Sequence, residues 1–138
     1  METGSQTIKG ADDVRAWVSE YERGWREYDL SAVERLFTAD GRYASSPVED
    51  ALVGHEAIAG IWLEEPGTEF TMTAEPVAVE GNRAVVRVDV QYTAPRSRRY
   101  RELWVLRFAG DGRVEEFEEW TYRVDEESAG ADDEGGQG

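Results

Sequence analysis

Between Asp12 and Tyr28 the apolar residues Val14, Trp17, Val18, Tyr21, Trp25 and Tyr28 recur at helical spacing and share one face. Asp12 and Asp13 fall in the first turn, where the helix dipole favours acids. Ser31-Ala32-Val33-Glu34 has the form of a capping box and predicts a short second helix that buries Val33, Leu36 and Phe37. Asp40-Gly41 is expected to end it, and Arg42 to Ser45 reads as a short strand leading to Pro47. Gly54 precedes a third predicted helix, His55 to Leu63, with Ile58, Ile61 and Trp62 on one side; Glu64-Glu65-Pro66-Gly67 stops it.

The period then changes from helical to alternating. Phe70 to Glu80 is strand-like, with Pro76 marking an edge or a bulge. After a Gly81-Asn82 turn, Val86, Val88, Val90 and Tyr92 share one face of a strand, with Arg87, Asp89 and Gln91 on the other. Arg99 to Ala109 alternates again, placing Tyr100, Glu102, Trp104, Leu106 and Phe108 together, and Gly110-Asp111-Gly112 turns the chain into a last strand, Val114 to Val124. Helices followed by an antiparallel meander define an α+β chain. A sheet of this size buries its apolar face by curling around the first helix. The expected shape is a cone: a curved antiparallel sheet wrapped around N-terminal helices, with a pocket between helix and sheet.

Composition narrows the chemistry. The chain has 138 residues and 40% hydrophobic content, which suits one domain with a real core, drawn over residues 10–124. Residues 1–9 read as a flexible lead-in and 125–138 as an acidic, Gly-rich disordered tail. Removing the tail's six acids from the formal charge of -15 leaves -9 on the body. Such a surface repels phosphate backbones, so neither nucleic acid nor membrane is expected as a partner. No apolar run approaches the roughly 18 residues of a membrane span and no signal peptide opens the chain, which points to a cytoplasmic protein. With no cysteine and one histidine, disulfides, thiolate zinc, iron–sulfur clusters, cysteine nucleophiles and multi-histidine metal sites are excluded. No GxGxxG or Walker pattern is present, and no cofactor is expected. Four arginines crowd Arg96-Ser97-Arg98-Arg99-Tyr100-Arg101, which reads as a hairpin tip, solvated or paired with nearby acids, or as a clamp for an anion or an acidic partner.

The order of elements resembles the nuclear transport factor 2-like superfamily, particularly its SnoaL-like branch. The resemblance rests on Trp25, Tyr28-Asp29-Leu30, Leu36-Phe37-Thr38-Ala39-Asp40-Gly41-Arg42-Tyr43, Pro47, Gly54-His55-Glu56-Ala57-Ile58 and Trp62. It continues through Leu106 to Val114 and Phe117-Glu118-Glu119-Trp120. It implies the conical fold and a homodimer through the outer sheet face, where Leu103 and Val105 stand among charges. It does not imply one function, because the fold hosts isomerases, epoxide hydrolases, cyclases, dehydratases and binding domains. Ketosteroid isomerases are similar at Tyr21, which matches their oxyanion donor. Ser46 stands at their carboxylate base and Trp104 at their protonated acid, so that mechanism is excluded. Limonene-epoxide hydrolase is similar at Tyr43-Ala44-Ser45 and Glu119, but Arg87 and Asp89 fall on the outward face of their strand. The Asp and His of SnoaL-like cyclases have no match; His55 is expected as an exposed residue at a helix start.

Two carboxylates remain as candidates. Glu102 shares its face with Tyr100, Trp104 and Phe108, and Glu119 shares one with Phe117. A two-residue turn sets Glu102 opposite Glu119 or Thr121, with the acids roughly 5 to 8 Å apart, whereas a three-residue turn reverses the parity. Two acids among aromatics cannot both ionise easily, so one is expected to keep its proton near neutral pH. Glu119 and Glu102, with Tyr21 or Tyr43 as hydrogen-bond donor, are the candidate catalytic set. The competing reading pairs one acid with an arginine and bonds the other to a tyrosine. Trp25, Trp62, Phe70, Val88, Tyr92, Tyr100, Trp104 and Phe117 are the candidate ligand-binding residues, within an aromatic set including Trp17 and Trp120 that also supplies core. The leading function is a small-molecule-binding protein for an apolar or aromatic ligand. The alternatives are a cofactor-independent isomerase, cyclase or epoxide hydrolase, and a protein-interaction module.

Overall fold

A computed structural model describes residues 10–64 and 67–124. The expected lead-in and acidic tail lie outside the described residues. Helix α1 (Ala11–Glu27) leads to α2 (Ser31–Leu36), then β1 (Phe37–Ala44), β2 (Leu52–Val53), α3 (His55–Trp62), and strands β3 (Glu69–Glu80), β4 (Arg83–Ala94), β5 (Arg98–Phe108) and β6 (Val114–Val124). One six-stranded sheet has the order β2-β1-β6-β5-β4-β3. Its pairings are antiparallel except for β1 with β6, which are parallel.

Helix α1 buries Val14, Trp17, Val18 and Tyr21. Trp17 meets Phe37, Phe108 and Phe117, and Tyr21 meets Trp104 and Phe117, so the helix lies against the inner sheet face. The Trp17 indole N–H donates to the Leu36 carbonyl at 3.0 Å, which satisfies a buried polar group and ties α1 to the end of α2. Gly24 lets the helices approach: an added Cβ would stand 2.8 Å from the Ala32 Cβ and 3.0 Å from the Trp62 ring.

Several local expectations are corrected. Tyr28 does not extend α1; it is the C-cap, in the left-handed region at φ 55°. The capping box does not form. Ser31 is the first helical residue rather than the cap, and its hydroxyl donates to Asp29 at 2.6 Å. Asp40-Gly41 is not a stop: α2 ends at Leu36, and the turn-like dipeptide sits inside β1, where the pairing with β6 shifts register between Phe37 and Arg42. Long-range pairing has overridden the local turn preference. Strand β3 carries Pro76 beside a register shift and lies at the sheet edge, as its sequence suggests.

The hairpin between β5 and β6 decides what faces the cone. Its reversal contains Gly110, Asp111 and Gly112, closed by the Ala109 N–H on the Arg113 carbonyl at 2.7 Å, with Gly112 at φ 88°. Three residues alone would turn Glu119 outward. A bulge follows, however: Phe108 pairs with Val114 and Arg107 with Glu116, so Glu115 is extra. The bulge restores the parity, and Trp104 pairs with Glu119 and Glu102 with Thr121. It also puts Trp120 on the outer face, 48% exposed, rather than in the core. Leu103, Val105 and Tyr122 share that face with it.

Candidate functional site

The inner faces of β4, β5 and β6, the middle of α1 and the end of α3 enclose a cavity of about 170 Å³. Tyr21, Trp25, Tyr43, Trp62, Tyr92 and Trp104 supply its aromatic wall, Glu102 and Glu119 its carboxyls, and Ile61, Glu64 and Thr68 complete it. Its volume is near the roughly 150 Å³ that accepts a single aromatic ring.

Each polar side chain is held by a specific partner. The Tyr43 hydroxyl donates to Glu119 Oε1 at 2.9 Å, while the Tyr43 ring stacks on Phe117 with centroids 4.5 Å apart. The Trp104 indole N–H donates to Glu102 Oε1 at 2.8 Å. The Glu119 and Glu102 carboxyls meet in a hydrogen bond, and the Tyr21 hydroxyl adjoins that of Tyr43. Trp62 Nε1 faces the same tyrosine but is buried with no acceptor in hydrogen-bonding geometry.

Burial pushes the Glu119 carboxyl up to about 9, assisted by its hydrogen bond to Glu102 and by that neighbour's charge; the bonds from Tyr43 and Trp104 pull weakly the other way. Burial also raises Tyr21, Tyr43 and Tyr92, and the neighbouring carboxylates raise them further. All three phenols therefore remain donors at neutral pH. The site holds a protonated acid against a second carboxyl, with phenol O–H groups alongside.

Eight of the twelve expected site residues line this cavity together: Glu119, Glu102, Tyr21, Tyr43, Trp25, Trp62, Tyr92 and Trp104. The other four do not. Phe70 is buried behind Trp25, stacked on it at 4.0 Å, and Phe117 fills the core between Tyr21 and Tyr43. Val88 is fully buried opposite Glu102 in the ladder, and Tyr100 packs edge-on against Tyr92. Ile61, Glu64 and Thr68 were not expected. They come from the end of α3 and the approach to β3, where turn residues carry no periodicity that would mark an inward face.

The remaining candidates lie elsewhere. His55 begins α3 but is half-buried, with Nε2 donating to the Phe37 carbonyl at 2.8 Å. Arg87 and Asp89 point away from the cavity, toward Glu75 and toward Arg99 and Arg101. Of the arginine cluster, Arg99 and Arg101 pair with Asp89, and Arg98 lies over the Tyr92 ring at 4.2 Å. The pairing reading fits Arg99 and Arg101, while Arg98 is held by the Tyr92 ring and the Arg96 carbonyl.

Residues 14–117 match the family described as the SnoaL-like domain. The chain belongs to the SnoaL-like family. A ketosteroid isomerase-like protein from Kribbella flavida superposes with a TM-score of 0.66 at 19% identity, covering 83% of this chain and 82% of its own. An LEH-like epoxide hydrolase from M. tuberculosis superposes with a TM-score of 0.66 at 13% identity, covering 81% and 84%. At these identities the likeness establishes the fold. No curated protein matches the sequence. In this SnoaL-like chain the cavity lies between α1 and the inner sheet face, and no helix among the described residues is long and apolar enough to cross a membrane.

Proposed function

We propose that this SnoaL-like protein is a cofactor-independent enzyme that moves a proton on a small, largely apolar substrate bound in the cone. One observation carries the reading: Glu119, an acid that keeps its proton at neutral pH, is hydrogen-bonded to Glu102 and Tyr43 in the wall of an aromatic cavity. An acid whose pKa lies near or above the working pH is suited to donate to a substrate oxygen as charge develops there. Glu102 accepts the proton removed from carbon, held in orientation by the Trp104 N–H. Tyr43 steadies Glu119 and Tyr21 extends the line of phenol donors. Such an arrangement suits isomerisation beside a carbonyl group, where one proton leaves carbon while another reaches oxygen.

The test is deuterium exchange. A panel of small ketones, with and without an amino group, is incubated with enzyme in deuterated buffer, and exchange at the α-carbon is followed by NMR. Exchange catalysed by the natural protein and lost in Glu119→Gln supports the reading. If the natural protein exchanges no faster than the variant across the panel, the cone binds its ligand without proton transfer. The outer face, with Leu103, Val105, Trp120 and Tyr122 exposed, is also proposed to join two copies of the chain.

A further inference from the structure

The cavity carries a charge selectivity as well as a shape. Six aromatic rings, from Tyr21, Trp25, Tyr43, Trp62, Tyr92 and Trp104, surround a small volume, and among the described residues that line it none is basic. Glu102 and Glu119 stand inside and Glu64, exposed, stands at the rim. Ring faces and carboxyl oxygens both present negative potential to a guest. An anion entering here would lose its water and gain no opposite charge. A neutral guest gains burial and hydrogen bonds only.

We infer that the cavity takes a small organic cation, an amine in its ammonium form on a compact apolar body, with its N–H groups on the Glu119 and Glu102 oxygens and its carbons against the rings. The inference rests on the reading of the cone as the substrate site. The size agrees, since about 170 Å³ leaves room for one ring and a short polar arm. The surrounding charges agree too. Facing the carboxyls are Tyr21 from α1, Tyr43 from β1, Tyr92 from β4, and the two acids themselves from β5 and β6, with Glu64 beyond the end of α3. The arginines near these walls lie over rings without lining the cavity: Arg98 over Tyr92 at 4.2 Å and Arg26 over Phe70 at 4.3 Å.

Proton bookkeeping gives the inference a signature. Before binding, one proton is held by Glu119 against Glu102. A simple ammonium such as a benzylic amine, which offers Glu119 no oxygen to protonate, brings its own positive charge, so it favours ionisation of Glu119 and displaces that proton to solvent. Binding is then accompanied by release of up to about one proton, and tightens as the pH is raised from about 6 to about 8.

Three nearly isosteric probes separate the possibilities by titration calorimetry: benzylamine, benzyl alcohol and benzoate. In two buffers of different ionisation enthalpy, benzylamine is expected to bind about tenfold or more tightly than benzyl alcohol, with proton release, and benzoate least of all. The double variant Glu102→Gln with Glu119→Gln is expected to bring benzylamine down to the level that benzyl alcohol shows in the same variant. Benzyl alcohol binding as tightly as benzylamine, benzoate competing, no proton release, or no binding of benzylamine would each overturn the inference. The ranking and the proton count need no variant, so a misfolded double mutant leaves the test intact. Benzylamine preference without deuterium exchange would retain the cation and remove proton transfer on ketones. Exchange without that preference would do the reverse.

Discussion

Trp104 and Glu119 are direct partners across the β5–β6 ladder, and this pairing brings the Glu119 carboxyl to Glu102, the acid next inward along β5 from Trp104. Trp104 serves both acids: its N–H donates to Glu102 at 2.8 Å, and its ring closes the cavity wall against Tyr21, with centroids 5.0 Å apart. The site is thus set by one strand pair, and the variants below are chosen to disturb its members singly.

Replacing Glu119 by Gln keeps an oxygen for the Tyr43 hydroxyl and removes the acid. Proton transfer is expected to fall by about 10²–10⁴-fold, the usual contribution of a general acid or base. Thermal stability at neutral pH is expected to hold or rise, because a carboxyl crowded by another is gone. Turnover and melting temperature measured on the same samples check both parts.

The pH dependence of stability follows with a definite sign. Glu119 holds its proton in the folded protein up to about 9 but releases it near 4.5 when unfolded, so the folded state binds more protons between those values. Its contribution is complete below about 4.5 and is lost as the pH rises toward about 9. Urea midpoints taken across this range should therefore decline more steeply in the natural protein than in Glu119→Gln. Equal slopes would remove Glu119 as the source.

Tyr43→Phe removes a hydrogen bond that pulls the Glu119 pKa down. The expected result is a small further rise in the Glu119 midpoint, with a stability loss of about 1 kcal/mol. NMR titration and denaturant unfolding read the two effects separately.

The two cavity tryptophans should respond differently to Phe. Trp104→Phe leaves Glu102 buried without its indole donor, and a loss of about 2–4 kcal/mol is expected. Trp62 Nε1 has no acceptor in hydrogen-bonding geometry, so Trp62→Phe forfeits packing but little hydrogen bonding, and a smaller loss is expected. Denaturant unfolding of both variants gives the comparison.

How much of this was legible in the chain depends on where each signal is encoded. Helix α1 and strands β4 and β5 bury one face each, so their periods survive in Val14, Trp17, Val18 and Tyr21, and in Val86, Val88 and Val90. The inward direction of Glu119 was not legible. It depends on a bulge at Glu115 within a run of similar acids, where nothing local distinguishes one glutamate from its neighbour. The same bulge sends Trp120 outward, against its hydrophobic character. Asp40-Gly41 misled for a related reason: a dipeptide that favours turns was recruited into β1 by pairing with β6, far away in sequence. Phe70 and Phe117 lie in the elements expected of them, but other rings rather than the cavity pack against them.

The outer face offers a separate test. If Leu103 and Trp120 join two copies, Leu103→Glu with Trp120→Glu should convert a dimer to a folded monomer in light scattering, with circular dichroism unchanged. A natural protein that is already monomeric at high concentration would contradict the dimer.

The central claim is that Glu119 carries a proton in the cone at neutral pH. It is tested most directly by ¹³C-carboxyl NMR titration of glutamate-labelled protein, with the resonance assigned by its loss in Glu119→Gln. The account predicts a midpoint far above the ordinary glutamate range, toward about 9. A midpoint near 4.5 would mean an ionised carboxylate at neutral pH, and it would contradict the acid role on which the proposed function rests.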